Sequence, residues 1–260
     1  PLIQALIIFL HGLGVLGVSL WFIQWQQKHS ALLSLHTPVA PFFVSVSSVF
    51  ALLLAFHVSS IWARQHDGQK AFIQNQAAVQ RFNQYTGEGI LKMPKLNQQL
   101  REFVALTVQK EWIESNNRLA NPEVEVSLKS LRASVVSLSG TLSAPVHSHL
   151  FKLLDDLSRS RTEILWIGGH QNDGKAWLVI LTLGLLSSLS IAAVHFERPE
   201  AGKTALILFA LATSVAYWSI LDAENPFKNY ASFNPDALLM ALNEVPPLNP
   251  DTGLDIKQNQ

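Results

Sequence analysis

Two histidines, a stripe of serines and a pair of glutamates are the groups in this 260-residue sequence whose chemistry calls for an account. His11 and His57 each lie inside a long apolar run, and an ionisable group at membrane depth is a functional candidate by default because lipid penalises it. Three uses are open to them. Two imidazoles can be axial ligands to a haem inside a four-helix bundle. Each can instead bond a neighbouring backbone carbonyl, or face a water-filled path. Depth argues against haem: His11 lies about nine residues and His57 about five from the same end of their runs, an offset of roughly 6 Å at about 1.5 Å per residue. No cofactor is therefore expected.

Ser45, Ser48, Leu52, Phe56 and Ser59 recur at three- and four-residue intervals, which puts them on one face of a helix. Hydroxyls interleaved with bulky apolar groups suit a narrow water path whose apolar constriction gates by dewetting. The same stripe suits ordinary packing, with serine bonding its own backbone or a neighbouring helix. Spacing alone leaves both open, and packing is the more common. With His57 added, these residues form the candidate pore-lining set. Glu111 and Glu114 share a helix but have no neighbouring acid or metal ligand, so they read as a solvated face. The sequence holds no phosphate-cradling glycine loop, His-Glu-x-x-His pair or nucleophile elbow, and no enzyme activity is expected. Cysteine is absent, which excludes disulfides, thiolate metal sites and a thiol nucleophile. Nineteen basic residues balance nineteen acidic ones, so nothing favours a nucleic-acid partner.

The elements that must position these groups are apolar helices. A bilayer core of roughly 30 Å needs about 20 apolar helical residues. Residues 2–25, 39–62, 176–195 and 204–221 meet that need, and nothing alternates like a barrel strand. The predicted fold class is an all-α membrane protein with four transmembrane helices and a helical cytoplasmic domain inserted between the second and third. The expected divisions are 1–63, 64–175, 176–221 and a C-terminal helix and tail over 222–260. The chain begins at Pro1 rather than methionine, which predicts further residues ahead of it. Segment 2–25 is too long, and lacks the basic front end, for a secretory signal. Trp21, Trp25, Trp62, Trp177 and Trp218 sit near span boundaries, as amphipathic rings prefer. Arg64, Lys70, Arg81, Arg159, Arg161, Lys175 and Lys228 outnumber Lys28, Arg198 and Lys203 on the other side. The positive-inside rule thus places the large insertion and both termini in the cytoplasm, and a bacterial inner membrane fits.

Inside the insertion, Phe72, Ala78, Val79 and Phe82 keep helical spacing, so the second span should run on until the Thr86-Gly87-Glu88-Gly89 break. Leu96, Leu100, Phe103, Val104, Val108 and Trp112 predict an amphipathic helix, interrupted at Asn121-Pro122. Leu128, Leu131, Val135 and Leu138 form the next stripe, and Leu142, Val146, Leu150, Leu153 and Leu157 a third. Gly168-Gly169 and Asp173-Gly174 punctuate the approach to the third span. Asn234-Pro235-Asp236 reads as a helix start, and the tail from Pro246 as disordered. Gly12, Gly14 and Gly17 in the first span predict close helix contact.

Residues 50–64 (FALLLAFHVSSIWAR) resemble bestrophin-type proteins. Residues 71–81, 195–199 (HFERP) and 221–227 (LDAENPF) resemble more closely the bacterial bestrophin-like family of four-span membrane proteins. Bestrophins are pentameric chloride channels whose second helices line a pore with an apolar neck. The resemblance implies a homo-oligomer, a pentamer by that analogy, conducting small ions, anions foremost, through a lipid bilayer. Its neck positions fall on Ser48, Leu52 and Phe56, and His57 stands where bestrophins commonly carry arginine. Departures accompany the match. Ser48 makes the neck less apolar, and no acidic calcium clasp follows the fourth span. Gln76 lies where the bestrophin-like family usually has an acid nearby, and Asn225 stands where an arginine usually precedes Pro226. The alternative reading is a membrane-anchored interaction or sensory protein whose cytoplasmic helices bind a partner without conduction.

Overall fold

A computed structural model of the chain describes residues 2–29, 40–169, 174–195, 197–228 and 233–243, and these are helices joined by turns. In chain order the helices are α1 (Leu2–Lys28), α2 (Ala40–Thr86), α3 (Pro94–Leu106), α4 (Pro122–Ser137), α5 (Ala144–Gly169), α6 (Gly174–Val194), α7 (Pro199–Ala223) and α8 (Asp236–Met240). The chain divides into two compact units, residues 1–67 with 171–226, and residues 68–170 with 227–260.

In the first unit, α2, α6 and α7 are long and apolar enough to cross a membrane. α1 is a 27-residue helix that packs on α6 and α7. Small residues let these helices approach. Ser19 donates to Ser188 across 3.0 Å, both side chains being buried, and Gly12 leaves room for the Ser214 hydroxyl. Among the described residues Gly14 and Gly17 have no neighbour within reach of a Cβ. Apolar packing comes in two modest clusters, one around Phe50, Ile180 and Tyr217, the other around Ile23, Ile191, Ala192 and Leu206.

The second unit has one large core. α2 continues unbroken through 47 residues to Thr86, and its Phe72, Ala78, Val79 and Phe82 are buried, as their spacing predicts. Proline at the first turn of α3 and of α4 is pre-set for helix and has no amide to leave unpaired. Asn121 caps α4 by accepting from the Glu123 amide at 2.9 Å. Asn234 accepts from the Asp236 amide at 2.9 Å and starts the short α8. Trp112 is fully buried, with its ring 5.2 Å from both Phe72 and Phe227. Beyond α8, the Leu242 carbonyl accepts from Asn83 at 2.9 Å and Arg101 at 3.2 Å. The tail from Pro246 and the Asp173 position lie outside the described residues.

α3 does not end cleanly. It loosens into a π-helical turn, Thr107–Ile113, whose wider spacing is uncommon and shifts the faces that follow. Asn116 and Asn117 then take left-handed backbone angles, φ 50° and 56°, which asparagine tolerates better than most residues. The carbonyl of Asn117 lies against Gly168, where any side chain would collide with it.

Candidate functional face and polar cluster of the membrane unit

α2 presents two unlike sides in the first unit. Phe50 and Ile61 are buried and Leu54 half-buried, while Ser45, Ser48, Leu52, Phe56 and Ser59 are all exposed. Leu52 is 56% and Phe56 63% exposed, so the protomer leaves its two bulkiest stripe residues uncovered. Ala63 and His66 continue the same face. The structure therefore keeps five of the six predicted residues together.

The sixth stands apart. At about 100° per residue, His57 is turned well away from both Leu52 and Phe56. It is half-buried, with its ring edge-on to Trp177 at 5.5 Å. Trp177 in turn meets Tyr217 at 5.9 Å, and Tyr217 meets His11 at 6.1 Å. The indole of Trp177 donates to the Glu224 carboxylate at 3.4 Å, a long bond. His11 and His57 thus belong to one row of rings inside the bundle, separate from the serine stripe. Tyr217 and Trp177 connect them, and neither was singled out for that role from the sequence. A tyrosine deep in an apolar run was the available signal, since its hydroxyl needs a partner there.

α7 supplies the contrast to the α2 face. Its uncovered residues from Ile207 to Trp218 are Ile207, Leu208, Leu211, Ala212, Val215 and Trp218, with no hydroxyl among them. A surface of that kind suits hydrocarbon. Exposed hydroxyls only flank that stretch, at Thr204 and Ser219, whereas on α2 Ser45, Ser48 and Ser59 are interleaved with the apolar groups.

The second unit corrects the reading of Glu111. Its side chain is 0% exposed and is gripped by Arg161, with Nε donating to Oε2 at 2.9 Å and Nη2 to Oε1 at 2.6 Å. The Asn121 amide adds a third bond to Oε1 at 2.9 Å, and Arg161 also reaches Glu125 at 3.1 Å. Burial pulls the Arg161 guanidinium down, but bonds and charge from Glu111 and then Glu125 outweigh it and hold the group above its usual value. Glu114 does face water, paired with Lys110 at 3.0 Å, which raises the lysine. Glu111 falls three residues after Val108 and seven after Val104, so the apolar stripe already contained its position. Arg161, fifty residues on, had no such local sign. Because Arg161 is held internally, it adds no free charge to the basic side of the membrane tally.

Compared with known proteins, the chain matches the sequence model of the Bestrophin-like domain over residues 12–238. The solved structure of a bacterial bestrophin homolog from Klebsiella pneumoniae shares the fold at TM-score 0.64 and 15% identity, covering 94% of this chain and 99% of that one. A variant of that homolog gives TM-score 0.63 at 14% identity, covering 93% and 97%. A variant of a membrane protein gives 0.64 at 17% identity, covering 91% and 99%. At these identities the likeness is one of fold. No curated protein matches the chain.

Proposed function

We propose that this chain, which belongs to the Bestrophin-like family, assembles into an oligomeric membrane channel for small ions, with the exposed face of α2 lining the path. One observation carries the reading: α2 leaves Ser45, Ser48 and Ser59 uncovered among Leu52 and Phe56, whereas the outer side of α7 has no exposed hydroxyl from Ile207 to Trp218. Hydroxyls can replace part of an ion's water, and Leu52 with Phe56 can form an apolar constriction. Copies arranged with α2 inward would cover this face and turn α7 toward lipid. Each protomer crosses four times, by α1, the first part of α2, α6 and α7, with the 64–175 segment and both ends in the cytoplasm. Anions are the proposed cargo on the family's account. His57, half-buried against Trp177, is turned away from the lining face.

Purified protein in planar bilayers tests this. We expect single-channel currents, raised several-fold by Phe56→Ala or Leu52→Ala as the constriction widens. Silence in the parent and both variants sinks the proposal. The mass of the detergent-solubilised particle is the companion measurement, with five copies expected and one copy incompatible.

A second reading draws on Leu119 and Val126, 74% and 66% exposed in the second unit. Apolar residues so uncovered suit a partner, and the chain would then be a membrane-anchored interaction protein. A single-copy particle without current would favour it.

A further inference from the structure

Inside the membrane unit, α1, α6 and α7 bound a cavity of about 10 Å³ lined by His11, Gly12, Gly184, Thr213, Ser214 and Tyr217. That is room for one water molecule, which needs about 10 to 15 Å³ of such space. Tyr217 is 4% exposed, and its hydroxyl has no hydrogen-bond partner among the described residues. An unpaired hydroxyl is costly in apolar surroundings, more so where the outer solvent is lipid. Thr213, whose hydroxyl donates to the Phe209 carbonyl at 2.8 Å, makes no bond to it. The His11 ring centre, 6.1 Å from that of Tyr217, makes no direct bond to the hydroxyl.

Two glycines shape the space. A Cβ on Gly184 would lie 2.5 Å from the Tyr217 hydroxyl, and one on Gly12 would lie 2.6 Å from the Ser214 hydroxyl. Each polar tip therefore occupies room that any other residue on the facing helix would fill. We propose that the cavity binds a single water molecule, held by the Tyr217 and Ser214 hydroxyls and the His11 imidazole. The water completes the hydrogen bonding of Tyr217 and links it to His11, so each protomer has a wet polar centre of its own. This site is independent of conduction along α2.

The test is water-edited solid-state NMR on the full chain, labelled with ¹³Cζ-tyrosine and reconstituted in phosphatidylcholine bilayers. The sequence has three tyrosines, and Tyr217→Phe assigns the signal of interest. Polarisation from water protons should reach Tyr217 at mixing times that also reach the half-buried Tyr85. A Tyr217 signal that stays dark when Tyr85 is fully polarised overturns the proposal. Gly184→Ala places a methyl on the hydroxyl and should abolish the transfer to Tyr217 while leaving Tyr85 unchanged; undiminished transfer in that variant overturns it too. If that variant does not reconstitute, Ser214→Ala removes one partner of the water without adding bulk. It should cut the transfer about two-fold, and an unchanged rate again overturns the site.

Discussion

In the unit built from residues 68–170 and 227–260, a buried polar contact joins full charges, Arg161 and Glu111, set beside a broad apolar core around Trp112, Phe82 and Leu154. In the unit built from 1–67 and 171–226, the comparable contact is between two hydroxyls, Ser19 and Ser188, and the apolar clusters are small. On the proposed topology, with the second unit in water, the solvent explains the difference. Water drives apolar side chains together, so the second unit gathers a core large enough to carry a satisfied ion pair within it. Lipid gives apolar helices no such drive toward each other, so the first unit depends on close approach through glycine and serine.

Three single substitutions and one double variant would break or sharpen that contrast. The largest effect is expected from Arg161→Met, which leaves Glu111 buried without its counter-charge and should cost about 3 to 5 kcal/mol. Thermal unfolding followed by tryptophan fluorescence would report it. The double variant Glu111→Gln, Arg161→Met should recover much of the loss, because neither charge then remains stranded. If the single and double variants unfold alike, the ion pair is not what the core is built around. Next comes Gly168→Ala in the same unit, where a methyl meets the Asn117 carbonyl. Forcing that contact apart should cost about 1 to 3 kcal/mol by the same assay, and no change would mean the Asn117 turn yields easily. Smallest is Ser19→Ala in the membrane unit, about 0.6 kcal/mol, since hydrogen bonds between helices in lipid contribute little net. A loss as large as that of Arg161→Met would undo the comparison.

Local periodicity carries the helices of this chain well. The run of α2 past Trp62, its stop at Thr86 and the cap at Asn121 all follow from apolar spacing or from side chains that compete for backbone bonds. Long-range pairings do not show themselves that way. Glu111 lies where the buried stripe of α3 runs on into the π-helical turn, yet its burial makes sense only once Arg161 comes to meet it from α5. The π-helical turn was equally hidden, because no composition rule distinguishes Thr107–Ile113 from an ordinary helical turn. For the candidate site, spacing brought five α2 residues to one face. His57 joins them in the sequence reading as an ionisable group at membrane depth, yet a helix turns it about 100° from its neighbour Phe56. The row from His11 to His57 needed two rings from distant helices to become visible.

The outer side of α7 has a consequence for how this sequence can change over time. In the proposed arrangement Leu208, Leu211 and Val215 meet a fluid that has no fixed shape, so exchange among leucine, isoleucine, valine and phenylalanine there would meet little resistance. Gly184, pressed by the Tyr217 hydroxyl, allows no such drift. Among descendants of a common ancestor, the rim of α7 should scatter widely while the inward edge of α6 stays nearly still.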